Sequence, residues 1–232
     1  MARSGLTLRA VLFDVDFTLA RPGPELGPEG YRRAGERLGL ELDPERYEEA
    51  RLAALESLQA HPELAHDDEI WFAFTGRIVE GMGGSGDAVR RLAEQITRAW
   101  EVHGNFELYE DVHPVLAELR RHGLAIGLVS NTARDLPAFV AHHGLDVDAA
   151  ISSGHHGWVK PHRSIFEAML RELDVEPGDA AMVGDSPADD VEGARALGMA
   201  AFLVDRDGRY REPGTLPNLL ALPAALGLPR PR

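Results

Sequence analysis

Ala10-Val11-Leu12-Phe13-Asp14-Val15-Asp16-Phe17-Thr18-Leu19 is an apolar run that ends abruptly in two carboxylates with one residue between them. In a strand, residues i and i+2 point to the same side. The run therefore predicts a buried strand that delivers two acids at its carboxyl end. Two like charges held close together repel unless a cation or a shared proton offsets them. A lone aspartate at a strand end reads as the start of a turn. Two at this spacing, followed by Thr18, point instead to chemistry and to a divalent metal.

Four further apolar runs repeat the pattern: Ala125–Val129 before Ser130-Asn131-Thr132, Ala149–Ile151 before Ser152, Ala180–Val183 before Gly184-Asp185, and Ala200–Val204 before Asp205. Nearly continuous apolar runs predict strands buried on both faces of a parallel sheet. Helical spacing lies between them, in Val112, Val115, Leu116 and Leu119, in Leu136, Phe139, Val140 and His143, and in Ile165, Phe166, Met169, Leu170 and Leu173. Alternating strands and helices predict an α/β class, a doubly wound, Rossmann-like parallel sheet. Such folds bind ligands outside the carboxyl ends of the strands, where Asp14, Ser130 and Asp185 fall.

Residues 20–105 read differently. No strand is expected there, and several helical stretches are; Val89, Leu92, Ile96, Ala99 and His103 trace one face. Arg21-Pro22-Gly23-Pro24 reads as an exit hinge and Gly81 to Gly86 as a flexible joint. The expected organisation is a core of residues 1–19 and 106–232 with a helical cap, 20–105, inserted into it. Leu216 to Arg232 reads as a final strand and helix with a loose tail.

Composition narrows the function. Among 232 residues, 38 Asp and Glu against 24 Lys and Arg give a net charge of -14. That balance disfavours nucleic acid and anionic membranes as partners. The absence of cysteine excludes disulfides, thiolate catalysis and cysteine-bound zinc. Met1 to Arg9 is too short and polar for a signal h-region, and no apolar run is long enough to span a bilayer. The expected location is cytoplasmic.

The other polar clusters each carry a plain reading and a chemical one. Ser186-Pro187 looks like an N-cap and first helical residue, which puts Asp189 at the third helical position, beside free N–H groups. Capping accounts for Asp189; Asp185, outside the helix at the strand tip, is expected to bind metal, with Asp190 orienting a cation or the metal's waters. Ser130-Asn131-Thr132 closes one strand and is expected to open a helix, with Thr132 and Asp135 as caps; hydroxyl, amide and N–H groups there also make an anion site. Lys160-Pro161 places one cation in a constrained loop, where it offsets the acids and meets substrate oxygens.

These four signals follow one another at successive strand ends or loops, and the sequence resembles the haloacid dehalogenase superfamily, chiefly its phosphatase branch. The match covers roughly Leu8 to Thr18 and Glu110 to Asp205, and the insert resembles the family's small helical cap by position. The resemblance implies Asp14 as nucleophile, Asp16 as general acid/base, Ser130 and Asn131 as phosphoryl-binding residues, and Lys160 as the cation that steadies nucleophile and phosphoryl oxygens. It implies a magnesium ion on the Asp14 carboxylate, the Asp16 backbone carbonyl and Asp185, and a small phosphorylated metabolite as substrate. Family members often have Gly where this chain has Phe17. Retention of Asp16 favours phosphoryl transfer over dehalogenation, whose halide leaving group needs no proton. A phosphomutase, a dehalogenase-type hydrolase and a non-catalytic binding protein of the same fold stand as alternatives. Trp71, Phe72, Arg77 and His66 are the insert's candidates for specificity.

Overall fold

The computed structural model describes residues 8–59, 64–210 and 213–229. The chain forms two compact units. One runs up to Arg21 and resumes at Leu108; the other is Pro22–Glu107.

Along the chain come β1 (Ala10–Phe13), β2 (Ala20–Pro22) and the helices α1 (Pro28–Glu36), α2 (Tyr47–Gln59), α3 (Asp68–Gly81) and α4 (Ala88–Ala99). They are followed by β3 (Phe106–Leu108), α5 (Val112–Arg121), β4 (Ala125–Ser130), α6 (Leu136–His143), β5 (Ala149–Ser152), α7 (Ser153–His156) and α8 (Arg163–Glu172). Then come β6 (Ala180–Gly184), a π-helical turn Pro187–Glu192 running into α9 (Gly193–Ala196), β7 (Ala200–Leu203) and α10 (Leu222–Ala225).

The first unit holds a five-stranded sheet in the order β5-β4-β1-β6-β7. Its pairings are parallel, with Ala10 beside both Ala125 and Ala180, and Phe13 beside both Leu128 and Val183. The expected doubly wound α/β core is therefore present. β1 is central, so the chain builds outward on one side of it and then on the other, and a crevice opens where the direction reverses.

Burial follows from that order. β1, β4 and β6 are interior strands; β1 and β6 are buried throughout, and β4 is buried beyond Ala125. β5 and β7 are edge strands and are only half-buried before their last residue, so burial on both faces holds for the interior strands alone. Ala10 and Leu12 face the side on which α8 lays Ile165, Phe166, Met169 and Leu170, joined by Ala180 and Met182 of β6.

The second unit is helical, packed around Tyr31, Tyr47, Ile78, Val79, Met82, Leu92 and Ile96. On α4 the buried face is Val89, Leu92, Ala93 and Ile96. The expected stripe runs out at the helix end: Ala99 and His103 are half-buried, and His103 lies in the next turn.

Two local expectations are corrected. Residues 20–22, read as strand-free, form β2 and pair with β3. A three-residue strand ending in proline carries too little periodicity to be read. At the other end, Leu216 forms a single bridge with Val204 rather than a strand, before the short helix α10. The rest of the expected tail, 230–232, lies outside the described residues.

Candidate active site

Asp14 follows β1 directly, and its N–H donates to Val183 O of β6 at 2.9 Å. Asp185 follows β6 in the same way. Because β1 and β6 are in parallel register, both acids leave the sheet at one rim. The carboxylates of Asp14, Asp185 and Asp190 each offer an oxygen within 4.8 Å of the others.

Lys160 reaches into this group from the loop before α8. Its Nζ donates to Asp14 Oδ1 and to Asp190 Oδ1, both at 2.6 Å, and the lysine is buried. Burial works against the ammonium, but the two carboxylates outweigh it and push Lys160 up. Burial pushes Asp14 up to about 7, opposed by Lys160 and assisted by the charges of Asp190 and Asp16. Asp185 is likewise pushed well up, by burial first and then by Asp14 and Asp190. Asp189 rises to about 6 through burial and Asp190. One ammonium thus faces three neighbouring carboxylates, so the cluster is short of positive charge. All its ligand atoms are oxygens, the donor set of a hard cation.

Asp190 is fixed by the local fold. Ser186 caps the turn, its Oγ accepting from Asp189 N at 3.2 Å, with Pro187 next, as the sequence predicts. The turn is wound as a π-helix, a form frequent at functional sites. Asp190 Oδ2 accepts from Ser186 N at 3.0 Å. Gly184 makes room for it: a Cβ there would lie 2.1 Å from Asp190 Oδ2. Asp190 is thus the third acid of the cluster, in closer contact with Lys160 than the sequence reading placed it. Asp189 stays at the cap.

The loop after β4 differs from expectation. Ser130 is the buried last residue of β4, but no helix opens at Ser130-Asn131-Thr132. The chain loops to Asp135, which alone caps α6 by accepting from Ala138 N at 3.0 Å. Thr132 Oγ1 instead accepts from Arg134 N at 3.1 Å. Asn131 Oδ1 accepts from Lys160 N at 2.6 Å and its Nδ2 donates to Lys160 O at 3.1 Å, so this side chain clasps the lysine's backbone.

Asp16 does not join the three-carboxylate cluster. Its carboxylate is held by Arg134, with Nη1 and Nη2 each 3.0 Å from Oδ1 and Nη2 3.2 Å from Oδ2. Arg134 was not legible as a site residue. It is fully buried, and its guanidinium lies 5.1 Å from the Phe139 ring centroid. No local signal marks it, because its partner Asp16 lies 118 residues away in the chain.

Phe17 has φ +64°, in the left-handed region, and its N–H donates to Ala20 O at 2.6 Å. Glycine adopts that conformation without steric cost, a physical reason for glycine at this position in the family that the chain resembles. Arg206 ties the neighbouring turn down. It donates to Thr18 O at 2.7 Å and grips Asp111 through both Nη atoms at 3.0 Å, beneath the Tyr109 ring.

Nearby, His155 pairs with Ser152 Oγ and His156 with Ser164 Oγ, each at 2.8 Å. Within Pro22–Glu107, Trp71 packs edge-on against Phe74, His66 meets Asp68 at 3.2 Å, and Phe72 and Arg77 line a groove between α3 and α4.

The model of the haloacid dehalogenase-like hydrolases matches residues 8–198 of this chain. A phosphoserine phosphatase of Thermus thermophilus is 38% identical over 147 residues, 61% of this chain, and the chain spans 57% of that relative's length. The human haloacid dehalogenase-like hydrolase domain-containing protein 3 is 32% identical over 208 residues, covering 86% of this chain and 82% of that one. Among solved structures, an HAD phosphatase from Thermococcus onnurineus superposes with a TM-score of 0.65 at 26% identity, covering 97% of this chain and all of the other. On the family match, the parallel core and the acids at its rim, this chain belongs to the haloacid dehalogenase-like hydrolases.

Proposed function

We propose that the chain is a magnesium-dependent phosphohydrolase that cleaves a small phosphomonoester through an aspartyl-phosphate on Asp14. The observation that carries this reading is the pairing of Asp14 with Lys160 inside a cluster of three carboxylates. Such a group is built to hold a cation and to bring an anion to an acid. The phosphatase among the relatives supports the same reading.

The Asp14 and Asp185 carboxylates and the Asp16 backbone carbonyl are assigned to the magnesium ion, with Asp190 beside them. When bound, the ion neutralises charge on the phosphoryl oxygens. Lys160 and the Ser130 hydroxyl hold those oxygens from the protein side, with Asn131 fixing the lysine. Asp14 then attacks phosphorus: a bond forms from its carboxylate oxygen, the ester P–O bond breaks, and the proton of Asp16 goes to the departing oxygen. Water next attacks phosphorus and gives its proton to Asp16; the bond to Asp14 breaks and inorganic phosphate leaves.

Residues 20–105 occupy the chain position of the family's cap, and that role is proposed on position. The named candidates for reading the substrate are His66, Trp71, Phe72 and Arg77. No helix among the described residues is long and apolar enough to cross a membrane. A cytoplasmic location and a small phosphorylated metabolite as partner complete the proposal.

The test is hydrolysis of a panel of sugar phosphates, phosphoglycolate and nucleotides with and without magnesium. Phosphate release that needs magnesium and is abolished by Asp14→Asn supports the proposal. No release from any substrate, together with no magnesium binding, favours a protein that kept the fold and lost turnover.

A further inference from the structure

Arg134 is the largest fully buried side chain among the described residues, and its guanidinium is paired with the Asp16 carboxylate. Burying a guanidinium is costly unless it is paired and well hydrogen-bonded. Here it lies in a five-residue loop, with its own N–H held by Thr132 and its guanidinium over Phe139. Neighbouring Asp135, a nearer carboxylate in sequence, is turned away to cap α6. Asp135 is the one carboxylate in that loop, so a local counter-charge was at hand. The chain instead sends the arginine across to a residue 118 positions away.

A planar guanidinium meeting a carboxylate through two nitrogens fixes the plane of that carboxylate as well as its place. Asp16 is partly exposed at the site, its side chain 18% accessible, so its orientation would otherwise be free. The same loop orders the other working residue: Asn131 holds the Lys160 backbone, and three positions on Arg134 holds the Asp16 carboxylate.

We infer that Arg134 is a positioning residue that fixes the orientation in which Asp16 hands a proton to the leaving oxygen and takes one from water. The inference rests on the phosphohydrolase reading above. It makes the loop after β4 an indexing element for both Lys160 and Asp16, a role apart from phosphoryl binding by Ser130.

The test compares Arg134→Met with wild type on a primary alkyl phosphate and on p-nitrophenyl phosphate, in magnesium. The alkoxide leaving group needs a proton and p-nitrophenolate does not. Arg134→Met should lower kcat on the alkyl ester about 100-fold or more, the scale of misdirected general acid catalysis. The first turnover of p-nitrophenyl phosphate should change only a few-fold. A burst should then appear, because water attack on the aspartyl-phosphate still needs Asp16. In an Asp16→Asn background, Arg134→Met should cost little more, and Arg134→Lys should fall between wild type and Arg134→Met. Removing the arginine leaves Asp16 open to water, and a thermal melt checks that the fold persists; if Arg134→Met does not fold, Arg134→Lys carries the comparison. Equal losses on both esters in the first turnover, or a full further loss in Asp16→Asn, would overturn the assignment while leaving the phosphohydrolase intact. Wild type inert on both esters would overturn the phosphohydrolase reading itself, and this inference with it.

Discussion

Lys160 Nζ donates to Asp14 Oδ1 at 2.6 Å across 146 residues of chain. The contact joins the tip of the central strand to the loop before α8, and Asp190 receives the same ammonium at 2.6 Å. One cation therefore offsets two buried acids, and in the proposed mechanism it would also hold the phosphoryl oxygens.

Loss of that cation has a definite consequence. Lys160→Met should leave Asp14 and Asp190 buried without their common partner and cost about 3–5 kcal/mol of stability. Phosphate release should vanish. Magnesium should recover part of the stability by supplying charge to the same cluster, and Asp185→Asn should weaken that recovery. Thermal melts with magnesium or with a chelator check this; a Lys160→Met melt equal to wild type in chelator contradicts it.

Phe17 separates backbone strain from side-chain packing. Its positive φ is sterically costly for any residue with a Cβ. Phe17→Ala removes the ring and keeps that cost, whereas Phe17→Gly removes both. Phe17→Gly should therefore be more stable than Phe17→Ala by about 1 kcal/mol, despite glycine's greater freedom in the unfolded chain. Urea unfolding of the pair measures the difference, and an alanine variant equal to or above the glycine variant contradicts the strain.

Gly184 tests the packing of the acid cluster. A Cβ there meets Asp190 Oδ2 at 2.1 Å and Asp190 Cβ at 2.6 Å, so the whole short side chain must move. Gly184→Ala should cost about 1–3 kcal/mol, as overpacking does elsewhere. It should also lower turnover more than it weakens folding, because Asp190 shares Lys160 with Asp14. A variant with unchanged stability and turnover refutes the close approach.

Acid stability has a separate origin, at Asp148. Its Oδ2 accepts from Ile126 N at 2.7 Å and pairs with Arg120. Burial alone would raise this carboxyl; the hydrogen bonds from Arg120 and Ile126 and the arginine's charge outweigh it, and the net direction is down. A depressed acid stabilises the fold above its ordinary range, and that stability is lost as pH falls through the lowered value. The urea midpoints of wild type and Asp148→Asn should thus differ at neutral pH and converge in acid. A gap that does not change with pH contradicts the linkage.

Much of this was legible in the sequence for physical reasons. Interior parallel strands are buried on both faces, so β1, β4 and β6 stand out as unbroken apolar runs, and each ends where its acid or hydroxyl leaves the sheet. The spacing of Asp14 and Asp16, and Ser186-Pro187 before a helical turn, are local signals. What stayed hidden depends on contacts between distant segments. Arg134 reads as a surface charge until its partner 118 residues away is seen. Asn131 reads as part of an anion site, and its grip on the Lys160 backbone, 29 residues on, leaves no local trace. β2 and β3 are too short to show a period, and the late start of α6 turns on Thr132 facing Arg134 instead of a helix N-terminus.

The central claim is that phosphorus becomes bonded to Asp14 during turnover. Rapid acid quench of the enzyme with substrate and magnesium, followed by peptide mass spectrometry, addresses it directly. A phosphoryl group on Asp14 that appears within one turnover, and is absent from Asp14→Asn, is the predicted result. Phosphate release at full rate with Asp14 unmodified, or with the adduct on another residue, would contradict the account.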